Sequence, residues 1–283
     1  MKMVSSIKEM QEFSEGSRLK NKIIALVPTM GFLHDGHLKL IEEGGRRADI
    51  SIISIFVNPT QFGVGEDLEK YPRDLEKDKK LAEGVGVDII FAPTASEMYP
   101  KTYQTYVNVE YVTRNLCGAS RPTHFRGVTT VVAKLFNIVK PHIAIFGEKD
   151  FQQLVTIRQM VKDLNFDIEI IGIPTVREKD GLAMSSRNTY LTPEERKAAL
   201  SLNQAMSEAK ELFKSGERRS ESILREVEKR IESESLTDID YVNICDSQTL
   251  EYIKEIDRDA VLAMAVKVGK TRLIDNCTFE RRR

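Results

Sequence analysis

Apolar and polar residues come in alternating blocks over the first two-thirds of the chain. Short, nearly continuous apolar runs predict strands over residues 23–27, 50–57, 88–91, 143–146 and 168–173, and apolar residues at helical spacing predict helices over 36–43, 75–83, 128–138 and 152–164. The run Ser51-Ile52-Ile53-Ser54-Ile55-Phe56-Val57 is apolar almost throughout, as a strand must be when helices cover both faces of its sheet. Alternation of this kind predicts a Rossmann-like, doubly wound parallel sheet that receives ligands at the carboxyl ends of its strands. Pro28 followed by Gly31 is expected to end the first strand in a turn.

Beyond Val176 the texture changes. Thr192-Pro193-Glu194-Glu195 reads as a helix start with a capping threonine, proline at the first position and a capping-box glutamate. Ala198, Leu202, Ala205, Ala209 and Leu212 continue it toward Gly216, and a second helix is expected over 221–231. Short strands follow over 240–244, 260–266 and 272–275, with Gly269 in the last turn. The chain thus divides into an α/β domain over 1–176 and a smaller α+β domain over 177–283.

The loops after the predicted strands carry the candidate chemistry. His34-Asp35-Gly36-His37 follows the first strand and opens a helix, so its two imidazoles share one face of the first turn. A helix start offers unpaired N–H groups and partial positive charge, which suit phosphates. Two histidines alone make a poor zinc site, since tetrahedral zinc wants three or four protein ligands. His124 and His142 show no ligand spacing with Cys117, Cys245 or Cys277.

Asn58-Pro59-Thr60-Gln61-Phe62-Gly63 exposes two amides that suit a ligand bearing hydroxyls and a carboxylate, or equally satisfy a local turn. The segment after it, through Tyr71-Pro72-Arg73, reads as a mobile covering loop. Arg121, His124 and Arg126 stand before an apolar helix, either to hold an anion or as an exposed loop. In Phe146-Gly147-Glu148-Lys149-Asp150, Lys149 either reaches a phosphate or belongs to a solvated helix start. Met184-Ser185-Ser186-Arg187-Asn188 offers hydroxyls and a guanidinium suited to pyrophosphate, or is a serine-rich linker. Neither G-x-G-x-x-G nor G-x-x-x-x-G-K-[ST] occurs, which sets aside hydride chemistry and Walker-type hydrolysis.

Composition narrows the choice. The 283 residues are 30% charged and 41% hydrophobic, with a net charge of −1. That balance argues against a chain built to grip nucleic acid; the basic end, Glu280-Arg281-Arg282-Arg283, reads as a solvated tail. Three scattered cysteines fit a reducing cytoplasm. No apolar stretch approaches membrane-spanning length, and Met1-Lys2-Met3-Val4-Ser5 does not lead into a signal-peptide core, so neither membrane nor secretion is expected.

Taken in order, these motifs closely resemble the pantothenate synthetase (pantoate–β-alanine ligase) family of HxGH nucleotidyltransferases. The resemblance rests on Val27-Pro28-Thr29-Met30-Gly31 with His34-x-Gly36-His37, Phe56 to Gly63, His124-Phe125-Arg126-Gly127-Val128, Phe146 to Gln153, and Asp180 to Asn188. Phe32, Asp35 and Thr123 depart from the family's commoner residues. The resemblance implies ATP and pantoate forming a pantoyl adenylate, which β-alanine converts to pantothenate.

It further implies that Met30, Gly31, Phe32, Leu33, His34, Asp35, Gly36 and His37 line the ATP site. Gly147, Glu148, Lys149, Asp150, Val176, Met184, Ser185, Ser186 and Arg187 would complete it, with His34, His37 and Lys149 in catalytic roles. Gln61 and Gln153 would hold pantoate, Gln61 also meeting β-alanine, with Phe56, Phe62, Val131 and Val132 against the dimethyl group. Mg²⁺ is implied without an assigned protein ligand, as is a homodimer. Two competitors share the first motif. An adenylyltransferase would need no amine, and a class I aminoacyl-tRNA synthetase would need a tRNA-binding domain that this chain has little room for. A catalytically dead nucleotide-binding regulator is opposed by intact His34, His37, Lys149 and Arg187.

Overall fold

The computed structural model describes residues 1–280; the run Arg281-Arg282-Arg283 lies outside the described residues. In chain order the first elements are β1 (Lys2–Val4), α1 (Ile7–Arg18), β2 (Ile24–Thr29), α2 (Asp35–Arg47), β3 (Ile50–Ile55) and α3 (Leu75–Gly84). Next come β4 (Ile89–Phe91), α4 (Ala95–Met98), α5 (Cys117–Ser120), α6 (His124–Val139), β5 (Ile143–Gly147), α7 (Phe151–Asp163) and β6 (Glu169–Ile173). The last are α8 (Pro193–Lys214), α9 (Ser220–Glu232), β7 (Thr237–Asp246), β8 (Ala260–Val268) and β9 (Thr271–Phe279).

The six strands β1–β6 form one sheet in the order β1-β4-β3-β2-β5-β6, every pair parallel. Central β2 shows why its sequence is apolar without interruption. Ile24 and Leu26 enter a core with Met10 of α1, Val128 and Leu135 of α6, and Leu154 and Ile157 of α7. Ala25 and Val27 point the other way, toward Leu40 and Ile41 of α2 and Ala82 of α3. Side chains alternate across a strand, so helices on both faces demand apolar residues at every position. Each fully buried leucine or isoleucine stabilises the fold by roughly 1.5–3 kcal/mol. The doubly wound sheet expected from the sequence is the one observed.

Two local features differ from expectation. Pro28 does not end β2 but lies inside it, in register with Ser54 of β3. Pairing with β5 covers only Ala25 and Leu26, so at Pro28 the strand has a single neighbour and its missing N–H leaves no ladder bond broken. The pair β1 and α1 is not signalled by apolar periodicity. Its first strand is three residues long, and α1 is largely polar, anchored by the buried Met10 and started by Ser6, whose Oγ accepts from the Glu9 N–H.

The described chain separates into two compact units. One comprises Met1–Val109, Arg121–Glu148 and Gln153–Pro174; the other comprises Glu110–Ser120, Lys149–Gln152 and the residues from Thr175 onward. The short segments 110–120 and 149–152 group with the second unit, which no single cut in the chain anticipates. In that unit β7, β8 and β9 form an antiparallel sheet. Leu262, Met264 and Val266 of β8 pack with Ala198, Leu202 and Ala205 of α8 and Ile223 and Val227 of α9. The capping box at α8 is formed as its sequence predicts, Glu195 N–H to Thr192 Oγ1 at 3.2 Å and Thr192 N–H to Glu195 Oε2 at 2.9 Å. The smaller block is therefore α+β. Among the described residues no helix is long and apolar enough to cross a membrane.

Candidate active site

Because the sheet is parallel, the loops that follow β2, β3 and β5 all leave its carboxyl edge. The first carries Met30 to His37. Gly31 takes a positive φ of 83°, and a Cβ there would come within 2.9 Å of Asp78 Oδ2 and of Ile55 Cγ2, so the turn admits only glycine. Phe32 follows at φ 51°, a left-handed conformation that costs a side-chain-bearing residue roughly 1–2 kcal/mol. Asp78 of α3 holds that conformation: its carboxylate accepts from Phe32 N–H at 2.8 Å and from Leu33 N–H at 2.7 Å. The carboxylate is buried, and burial pushes its pKa up, a rise that the two backbone donors partly counter.

His34 then stands as the extended N-cap of α2, and its carbonyl accepts from the N–H groups of His37 and Leu38. The two half-buried imidazoles stack with ring centroids 4.0 Å apart. His37 Nδ1 takes a long hydrogen bond from the His34 N–H at 3.4 Å. An Nδ1 that accepts leaves the proton of the neutral ring on Nε2, which makes Nε2 a donor.

The loop after β3 forms a short turn, Pro59–Gln61, capped by Asn58. Asn58 and Gln61 are both buried. Tyr99 O–H donates to Asn58 Oδ1 at 2.8 Å, and Asn58 Nδ2 in turn donates to Gln61 Oε1 at 3.0 Å and to the Gly127 carbonyl at 3.1 Å. The chain of donors fixes the Gln61 amide with its oxygen inward and its Nε2 toward Met30 Sδ, 3.2 Å away. Burial pushes the Tyr99 phenol up to about 12, so it stays protonated and donating.

Arg121 and His124 are engaged by the chain itself. The Arg121 guanidinium pairs with the Glu66 carboxylate and bonds the Gln61 carbonyl, and His124 Nδ1 lies 2.9 Å from the same carbonyl. These two side chains form a clasp on the Gln61 loop, while Pro122, Thr123 and Arg126 are exposed. The segment after Gly63 is fastened by that clasp, by buried Tyr71 edge-on to Phe62, and by Arg73 on the Leu68 and Tyr71 carbonyls. Phe56, Val131 and Val132 are buried in the core.

After β5, residues Glu148–Asp150 make a short helical turn leading into α7. Gln152 is buried and ties down the segment before α5, bonding Cys117 N–H, the Val112 carbonyl and the Asn115 carbonyl. The Gln153 side chain, on the first turn of α7, makes no hydrogen bond among the described residues. In the second unit, Lys149 Nζ lies 3.8 Å from Asp150 Oδ1 with its side chain 18% exposed, and its carbonyl accepts from Asn276 of β9. Val176 and Met184 meet in a backbone bond of 3.0 Å, so two residues eight apart become neighbours. Ser185 caps the turn Ser186–Tyr190. Asn188 Nδ2 donates to Glu178 Oε1 at 2.7 Å, and Arg196 holds the other Glu178 oxygen and Asp180.

Asp78, Tyr99 and Glu178 were not candidates on sequence grounds. A signal exists for the first: Leu75, Asp78, Ala82 and Val85 fall at helical spacing, which puts a carboxylate on the apolar stripe of α3. All three cysteines are free, and among the described residues no three His, Cys, Asp or Glu side chains converge as a metal cluster.

A doubly wound parallel sheet with its candidate loops at the carboxyl edge defines a class, the open α/β proteins that bind ligands at that edge. Within it, the chain belongs to the pantoate-beta-alanine ligase family, whose model matches residues 2–278. It is 59% identical over 279 residues to the pantothenate synthetase of Syntrophus aciditrophicus, covering 99% of this chain and 98% of the relative. The Geobacter sulfurreducens pantothenate synthetase is also 59% identical, over 280 residues and 99% of each chain. A crystal structure of the Thermus thermophilus pantothenate synthetase superposes with a TM-score of 0.93 at 45% identity, covering 98% of this chain and 99% of that one. The Francisella tularensis pantoate-beta-alanine ligase, complexed with beta-gamma ATP and beta-alanine, gives 0.82 at 34% identity, covering 98% and 97%.

Proposed function

We propose that this chain condenses pantoate with β-alanine to pantothenate at the expense of ATP, releasing AMP and pyrophosphate through a pantoyl adenylate. The observation that carries the reading furthest is the family match across nearly the whole chain, with the H-x-G-H turn at the carboxyl edge of the sheet. The Francisella relative, complexed with an ATP species and β-alanine, supports those two ligands here.

In the first step a pantoate carboxylate oxygen attacks the α-phosphorus, and the bond from that phosphorus to the bridging β-oxygen breaks. Positioning and stabilisation of developing charge carry such a displacement. His34 and His37 donate to the phosphates; Lys149 and Arg187, with the Ser185 and Ser186 hydroxyls, stabilise the departing pyrophosphate. Met30 to Asp35 with Gly36, then Gly147, Glu148, Asp150, Val176 and Met184, line the nucleotide. Gln61, its Nε2 presented by Asn58, and Gln153 hold pantoate. In the second step the deprotonated β-alanine amine attacks the acyl carbon, and the carbon–oxygen bond to AMP breaks.

Mg²⁺ is compatible with this donor set. It is commonly held by substrate phosphates, its own waters and one or two carboxylates, so a protein cage is not required. A domain division into 1–176 and a lid over 177–283, a homodimer and a cytoplasmic location complete the reading.

Oxygen labelling tests it. Pantoate labelled in both carboxylate oxygens passes one labelled oxygen to AMP per turnover. Unlabelled AMP alongside pantothenate excludes the adenylate.

A further inference from the structure

The turn that precedes the two histidines is not self-supporting. Gly31 and Phe32 both have positive φ, and the acceptor for the Phe32 and Leu33 N–H groups lies neither within the turn nor on a neighbouring strand. It comes from a helix that starts more than forty residues later. Asp78 is 1% exposed, and its two oxygens are divided one to each N–H. Gly31 lies against the same carboxylate, close enough that no Cβ fits between them. Lys77 of the same helix turn places its ammonium 4.9 Å from the centre of the Phe32 ring. The helix therefore grips the turn by backbone, side chain and steric contact together.

We propose that Asp78 is a positioning residue for ATP, setting the backbone of Phe32 and Leu33 and through it the start of α2 where His34 and His37 stand. The inference rests on the adenylation reading above. A carboxylate suits this task better than any neutral side chain, because both its oxygens accept and neither donates. Asparagine at 78 keeps the shape but turns an NH₂ group toward one of the two N–H groups. That donor–donor clash rotates or releases the turn. A carboxylate shared by two strong donors also repels phosphate poorly, since its field is spent locally on the N–H dipoles. It thus acts on the nucleotide only through the backbone it holds.

The test compares Asp78→Asn with the unaltered protein in steady-state assays of pyrophosphate release from ATP, pantoate and β-alanine, with melting as the check on folding. A folded variant should show KM for ATP raised about tenfold or more and KM for β-alanine in the complete reaction changed less than about twofold. A purely structural carboxylate would lower Tm and the active fraction while leaving KM for ATP alone, and that result overturns the proposal. If the unaltered protein releases no pyrophosphate, the adenylation reading falls and this inference falls with it; if it does and the variant's KM for ATP is unmoved, only the inference falls. Should the variant not fold, hydrogen exchange at the Phe32 and Leu33 amides of the unaltered protein decides. Slow exchange at both supports the grip, and exchange at the unprotected rate at either one overturns it.

Discussion

Two turns that the proposed function gives to the nucleotide are held in opposite ways. The Gly31–His34 turn of the first unit hangs on one buried carboxylate that takes two backbone N–H groups. The Ser185–Asn188 turn of the second unit hangs on a side-chain relay, Arg196 to Glu178 to Asn188, whose charged members are about a third exposed. Solvent screens the second arrangement and not the first. The Phe32 and Leu33 backbone of one turn thus depends on a single residue, while the other turn shares its support among contacts that are individually weak.

The largest expected effect asks whether residues of both units serve one chemistry at all. His37→Ala in the first unit and Lys149→Ala in the second should each slow single-turnover pyrophosphate release by about ten- to a hundred-fold, the worth of one charge-assisted donor. Both side chains lie outside the buried cores, so circular dichroism and Tm should hardly move. Near-normal release from one variant alone would leave that side chain without a part in adenylation.

A narrower effect separates the nucleotide turns from the substrate loop. Gln61→Ala removes an amide whose direction is set by Tyr99 and Asn58, and Gln153→Ala removes one that bonds nothing among the described residues. Each should raise KM for pantoate by about fivefold to tenfold, one hydrogen bond's worth, with ATP affinity unchanged in separate titrations. Loss of ATP binding in both would transfer these glutamines to the nucleotide.

How much of this was legible in the sequence follows the same contrast. Strands buried on both faces announce themselves, because covering helices force apolar residues at every position, as in β2 and β3. Motif residues were legible because their loops punctuate those strands. The supports were not. Asp78 sits among charged neighbours in α3, Glu76, Lys77 and Lys79, and only its place on the buried stripe distinguishes it. Tyr99 and Gln61 are 38 positions apart, and no local pattern links them. Pro28 reads as a strand end because its tolerance depends on which neighbour strand stops short, a fact of register rather than composition.

The buried carboxylate also predicts a pH signature in stability. Burial, and to a smaller extent Asp74, raise the Asp78 pKa, while Leu33 N–H, Phe32 N–H and Lys77 lower it, and the net shift is upward. Between the unfolded aspartate value of about 3.9 and the higher folded value, the folded state binds more protons, so stability falls as pH rises. This contribution is full below the unfolded value and gone above the folded one. Asparagine at 78 cannot ionise, so the stability of the unaltered protein minus that of Asp78→Asn should decline as pH rises through this window. Urea titrations at a series of pH values measure it; a flat difference would mean that the backbone donors balance burial, and a rising one that they outweigh it.

The smallest effect belongs to the relay. Glu178→Gln keeps an oxygen for Asn188 Nδ2 and loses the charge opposite Arg196. Arg196 keeps Asp180, which it already holds through Nε and Nη2, so no charge is left stranded. A partly exposed pair of this kind contributes about 0–1 kcal/mol, and the loss should shrink further when salt screens what remains. Denaturant melts at low and high salt give that number, and pyrophosphate release should stay within about twofold of the unaltered rate. A loss several times larger, or one that salt does not touch, would mean that Glu178 is the buried partner of its turn just as Asp78 is of the other. The two turns would then be held by the same physics.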